Sequence, residues 1–119
     1  MTKEEFQQKF KEAFLEGYKN KKIKYFWEPF AKNEIECLKG NLARKAYDNA
    51  DKTNVFEIQY DNGLIGDDFA VPLEKDHMTS NEVDKSELFE FYIFDKEFSW
   101  CYIITHEFNL CGPYFIKRK

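Results

Sequence analysis

The sequence of 119 residues has no long apolar run. No segment approaches the ~20 consecutive apolar residues that a membrane-spanning helix needs. The first five residues, Met-Thr-Lys-Glu-Glu, are polar and do not resemble the apolar region of a signal peptide. We therefore expect a cytoplasmic protein without a membrane partner.

Cysteine and histidine are scarce, with three and two copies. The odd number and irregular spacing of Cys37, Cys101 and Cys111 argue against a disulfide framework and predict buried free thiols. Cys101, His106 and Cys111 follow the pattern C-x4-H-x4-C, which differs from the paired spacing of most zinc sites. Cys101 and His106 would also point to opposite faces of a straight strand. The sequence thus predicts no metal and no cofactor.

Glycine-rich phosphate-binding motifs are missing too. The five glycines are scattered, and neither G-x-x-x-x-G-K-[ST] nor G-x-G-x-x-G occurs. We therefore predict that the chain is not an enzyme. An alternative is a small enzyme or ligand-binding domain with its site near His106, Glu107 and Cys111, because a turn after residue 108 would bring Cys111 back toward His106.

The chain has one short basic stretch, Lys19 to Lys24, within a net charge of −4. Binding to a phosphate backbone needs a larger basic surface than this. Nucleic acid is therefore excluded as the expected partner.

Aromatic residues, in contrast, are abundant: 13 Phe, 7 Tyr and 2 Trp make up 18% of the chain. This apolar mass is enough for one domain, residues 1–119, with its own core. A domain of this size cannot bury every ring, so we expect some of them at the surface, where aromatic residues often mediate binding.

The first part of the sequence predicts helices over about residues 2–50. Thr2 and Glu5 form a capping box, and apolar residues then recur at helical spacing from Phe6 to Tyr18. A second helical pattern runs from Pro29 to Asp48, weakened by Gly40 in the middle. The pattern is compatible with one kinked helix or with two, the second of which would start at Asn33.

Beyond residue 53 the pattern changes to strands, which we predict over about 54–66 and 87–117. Trp100, Tyr102 and Ile104 should share one strand face, with Tyr114 and Phe115 available to cover it. The order of elements predicts an α+β fold, in which N-terminal helices pack on one face of a C-terminal antiparallel β-sheet.

An acidic segment separates the predicted strands. Residues 61–90 carry nine acidic residues against two lysines, a net charge of −7. Residues 67–86 read as an irregular acidic loop, and a loop of this length is often functional; His77 within it should be exposed. An acidic surface attracts basic partners. The residues predicted to contact a partner are Asp61, Asp67, Asp68, Glu74 and Asp76.

The C-terminal segment carries a W-x4-T-H-E pattern from Trp100 to Glu107, followed by Gly-Pro-Tyr-Phe at 112–115. In this it resembles small bacterial immunity proteins of polymorphic or contact-dependent toxin systems. The resemblance implies a protein that neutralises a cognate, basic toxin domain, such as a nuclease, by direct occlusion. A different hypothesis is a structural or regulatory subunit that self-associates through a sheet edge. The sequence leaves the oligomeric state open.

Overall fold

A computed structural model describes residues 1–18, 26–60, 69–86, 90–105 and 112–118. Its helices are α1 (Lys3–Phe14), α2 (Glu28–Ala31), α3 (Asn41–Asn49) and α4 (Ser80–Lys85), with a 3-10 turn at Lys75–His77. Its strands are β1 (Leu38–Lys39), β2 (Val55–Tyr60), β3 (Val71–Pro72), β4 (Glu90–Asp95), β5 (Trp100–Ile104) and β6 (Tyr114–Lys117).

The strands form one antiparallel sheet in the order β1-β6-β5-β4-β2-β3. The centre is the β2-β4-β5-β6 meander, and the two-residue strands β1 and β3 lie at the edges. Short edge strands offer little unpaired backbone to other chains. The predicted α+β class, with helices first and most strands later in the chain, is confirmed.

The N-terminal helices α1 and α2 pack on one face of the sheet, as predicted, and the opposite face is buried as well. On one face, α1 and α2 pack against alternate strand residues, such as Tyr92, Phe94 and Ile103. On the opposite face, α3 and α4 pack against the strand residues that lie in between, such as Ile93 and Tyr102. Because alternate residues of a strand point to opposite faces, strands of nearly continuous apolar residues need cover on both sides.

The N-terminal helix begins as the sequence predicts. Thr2 accepts a hydrogen bond from the Glu5 backbone N–H at 3.1 Å, and Glu5 accepts one from the Thr2 N–H at 3.2 Å. Phe6, Phe10 and Phe14 are the buried residues of α1. The capping box therefore sets the register in which the phenylalanine stripe meets the sheet.

The second helical pattern forms two helices. Asn33 has a φ of 59° and lies beyond the end of α2, so it does not begin a helix. The second helix starts at Asn41, after β1 and after Gly40, which has a φ of 60°. Glycine accommodates this left-handed backbone more readily than other residues do, which explains its place between strand and helix.

The prediction of an irregular loop over residues 67–86 is wrong for most of its described part, residues 69–86. This part contains β3, the 3-10 turn and α4. The Thr79 hydroxyl accepts a hydrogen bond from the Glu82 N–H at 3.2 Å, and it also bonds the Glu82 carboxylate at 3.0 Å. The Thr-x-x-Glu pattern is a helix-start signal that could have located α4.

Within the described ranges, no helix is long and apolar enough to cross a membrane.

Candidate functional site

A buried acid–base pair joins β2 to the 3-10 turn. Glu57 is 4% exposed and His77 is 8% exposed. His77 Nδ1 lies 3.0 and 3.1 Å from the two carboxylate oxygens of Glu57. Both distances are within hydrogen-bonding range, so the imidazole and the carboxyl group are bonded to each other. Burying a carboxylate is costly unless such partners surround it.

Further hydrogen bonds extend this pair to the neighbouring chain segments. Glu57 Oε1 also accepts the backbone N–H of Glu74 at 2.8 Å. The hydroxyl of Tyr47, on α3, donates to the carbonyl of His77, whose ring packs edge-on against Phe91 with centroids 5.1 Å apart. Together these contacts hold the stretch from Glu74 to His77 against the sheet and α3.

We call residues 69–78 the edge segment. Its backbone is fixed to the rest of the molecule, with the Ala70 N–H donating to the Met1 carbonyl at 2.9 Å and the Leu73 N–H donating to the Val55 carbonyl at 3.0 Å. Much of its side-chain surface faces outward: Phe69 is 57%, Met78 39% and Val71 37% exposed. The edge segment therefore displays apolar side chains from a well-anchored backbone.

Two of the predicted contact residues lie on this surface. Glu74 and Asp76 are exposed, between the apolar Val71 and Met78. Asp61, Asp67 and Asp68 lie outside the described residues, as do His106, Glu107 and Cys111 of the alternative site. The structure thus brings two predicted carboxylates together with exposed apolar residues that the sequence did not single out.

The prediction of an exposed His77 is wrong. The acidic residues near it in sequence indicated solvent, but its partner is Glu57, 20 positions upstream. Glu57 is the single carboxylate of β2 and is opposite in orientation to Phe56 and Ile58. A lone carboxylate in a strand buried on both faces is the signal that could have identified the pair.

Other acidic residues of segment 61–90 serve the fold. Glu90 is buried and accepts hydrogen bonds from Trp27 Nε1 at 3.2 Å and from the Tyr92 hydroxyl at 2.8 Å. Asp84 pairs with Arg44 at 2.9 Å. The net charge of the segment therefore overstates the negative charge that a partner can meet.

The two cysteines in the described part of the chain, Cys37 and Cys101, do not have thiols activated for reaction. Burial raises the pKa of Cys37 to about 11 and the pKa of Cys101 well above its ordinary value. The thiolate is the reactive form of cysteine, so neither residue is poised as a nucleophile at neutral pH. Among the described residues, no three His, Cys, Asp or Glu side chains are arranged to hold a metal ion.

Comparison with protein families finds one match, over residues 2–115, to a family described as a domain of unknown function (DUF4275). No curated protein and no solved structure matches the chain.

Proposed function

This chain belongs to the DUF4275 family, and we propose that it is a binding protein that neutralises a cognate bacterial toxin domain by direct occlusion. The partner is basic, and a nuclease is the kind of toxin that fits best. Inhibition takes place in the cytoplasm, where the toxin of a contact-dependent system meets its target.

The observation that carries this proposal is the edge segment. It combines exposed Phe69, Val71 and Met78 with the carboxylates of Glu74 and Asp76. Aromatic residues and methionine are enriched at the centres of protein interfaces, whereas charged residues lie at the rims. Rim carboxylates steer a basic partner and select it against others. The surface therefore has both components that recognition of a basic protein requires.

The anchored backbone strengthens the argument. The Glu57–His77 pair and the Glu74 N–H bond restrain the chain behind the exposed side chains. A surface that is already ordered loses less conformational entropy when it binds. The buried pair is thus a support for the contact surface and needs no catalytic role.

Recognition takes place through side chains. The outer backbone of the edge segment is already occupied at Ala70, which bonds Met1, and Pro72 has no N–H to offer. Addition of a strand from the partner is therefore disfavoured at β3. The toxin contacts the outward side chains of residues 69–78, and the bulk of this chain then covers the toxin's active surface.

The test is co-expression with the product of the adjacent upstream gene, scored by growth rescue and by capture on the tagged protein. Phe69→Ala with Met78→Ala should weaken capture at least about thirtyfold, because central interface residues carry most of the binding energy. Leu38→Ala with Leu42→Ala is the matched control, since these residues are 40% and 64% exposed at the opposite sheet edge.

Equal capture by the two double variants would show that the edge segment is not the contact surface. A neighbouring gene product without toxic activity, and no growth rescue, would sink the immunity proposal itself.

A further inference from the structure

A cleft of about 360 Å³ lies on the sheet face covered by α1, beside the start of the edge segment. Its lining residues are Met1, Lys9, Phe56, Ala70, Phe94, Lys96 and Glu97. The volume is within the range of small-molecule sites, which are concave and mostly apolar with a few polar groups.

The floor of the cleft is part of the aromatic core and is therefore preformed. Phe94 is fully buried, and its ring lies 6.2 Å from that of Phe56, 4.6 Å from Phe98 and 4.9 Å from Phe6, centroid to centroid. Phe56 is only half-buried, so its ring also borders the cleft. An apolar ligand can thus contact Phe56, whose ring the buried Phe94 already holds in place.

The walls are also held by hydrogen bonds. The Ala70 N–H donates to the Met1 carbonyl and the Lys96 N–H donates to the Asn54 carbonyl, both at 2.9 Å. The small side chain of Ala70 leaves the space above the rings open. Little rearrangement is required for a ligand to enter, which favours binding.

The rim selects the charge of the ligand. Lys9 and Lys96 are both exposed, and neither ammonium forms an ion pair with a carboxylate of the described residues. Glu97 contributes the opposite charge, so the side chains of the lining carry a net charge of +1. An apolar floor with two exposed lysines at its rim suits an anion with an apolar body.

We propose that this cleft binds a linear, medium-chain monocarboxylate. Its hydrocarbon chain lies on Phe56, which the buried Phe94 supports from behind, and its carboxylate is held by Lys9 and Lys96. This site borders the protein surface assigned to the toxin partner and shares Ala70 with it, but its test requires no partner protein.

The experiment is an NMR titration of the ¹⁵N-labelled protein with octanoate, octan-1-ol and octylammonium, each below its micellar concentration. The amides of Ala70 and Lys96 should shift with octanoate at saturation. Octanoate should bind about tenfold more tightly than octan-1-ol, since each exposed ion pair contributes at most about 1 kcal/mol. Octylammonium should bind more weakly than octan-1-ol.

Charge variants supply the decisive comparison. Lys9→Gln and Lys96→Gln should each weaken octanoate binding about three- to fivefold, whereas Glu97→Gln should strengthen it by a similar factor. Lys45→Gln, an exposed lysine on α3, is the matched control and should change nothing. None of the four should alter binding of octan-1-ol. Ala70→Leu, which fills the cleft, should weaken binding of both ligands.

Octylammonium binding as tightly as octanoate would overturn the proposal, because the rim would then not select an anion. Octanoate binding that ignores the two lysine variants, or survives Ala70→Leu, would overturn it by placing the ligand elsewhere. An absence of saturable octanoate binding would do the same.

Discussion

Trp100 lies between two other rings. Its indole packs edge-on against Tyr47, with centroids 5.9 Å apart, and stacks on Phe115 at 5.5 Å. Trp100→Ala should therefore reduce the free energy of unfolding by about 3–5 kcal/mol, because the cavity left behind cannot collapse fully. Urea denaturation measures the change.

Leu42→Ala is the control for this prediction. Leu42 is 64% exposed, so its truncation should change the free energy of unfolding by less than about 0.5 kcal/mol. If the two variants were equally stable, the core on this face would be looser than the ring contacts indicate.

Thiol chemistry gives a second prediction at the residue scale. Burial raises the pKa of Cys37 from its ordinary value of 9.0 to about 11. At pH 8 the folded protein should hold roughly a hundredfold less thiolate at this position than the unfolded chain. Alkylation by iodoacetamide, followed by mass spectrometry, should accordingly be slow at Cys37 and Cys101 until denaturant is added.

The pH dependence of this thiol follows from the same shift. Its folded pKa is raised, so the stability that it contributes is fully present below pH 9 and is lost as the pH rises toward 11. Rapid alkylation of Cys37 in the folded protein at pH 8 would contradict both the burial and the raised pKa.

At the scale of elements, the Glu57–His77 pair joins β2 to the edge segment. His77→Gln should destabilise the protein by about 1–3 kcal/mol, because the buried side chain of Glu57 would lose the ring nitrogen to which it is hydrogen-bonded. Adding Glu57→Gln should recover part of that loss, since a neutral amide oxygen still accepts the Glu74 N–H. Urea denaturation of the two single variants and the double variant yields the coupling energy.

Hydrogen exchange shows whether the effect is local. In the Glu57→Gln variant, amides of residues 73–77 should exchange faster, while those of β4 and β5 should keep their protection. Additive effects in the mutant cycle, or uniform loss of protection across the sheet, would show that the pair does not act as a local anchor.

For the whole molecule, the distribution of charge sets how fast a basic partner associates. Replacing Glu74 by Gln together with Asp76 by Asn should slow association with the captured toxin several-fold at low salt. The difference should shrink at physiological ionic strength, where exposed charges are screened beyond about 8 Å. Stopped-flow measurements at several salt concentrations provide the test.

Glu16→Gln with Glu36→Gln is the matched control, because it removes two exposed carboxylates from the side of the molecule that carries β1. Both double variants have the same net charge. If they slow association equally, steering depends on net charge alone and the edge segment has no special part in it.

Local patterns were sufficient to predict α1 and the strand regions that contain β2, β4 and β5. Their signals act between residues close in sequence, such as the Thr2–Glu5 cap and the polar turn at 95–97. The same rules applied at Thr79 and Glu82 would have found α4. For the stretch from Pro29 to Asp48, spacing alone did not decide between one helix and two, because strand β1 forms there only by pairing with β6.

The amino-acid sequence on its own established the α+β class, the aromatic core and the acidic middle segment, since these follow from composition and from short-range periodicity. Tertiary structure was needed to show that helices cover both faces of the sheet and that Glu57 meets His77. Their contact joins residues 20 positions apart, and no local preference encodes it. The exposure of each acidic side chain likewise depends on partners elsewhere in the chain. Glu90 is buried against Trp27, whereas Glu74 and Asp76 remain exposed.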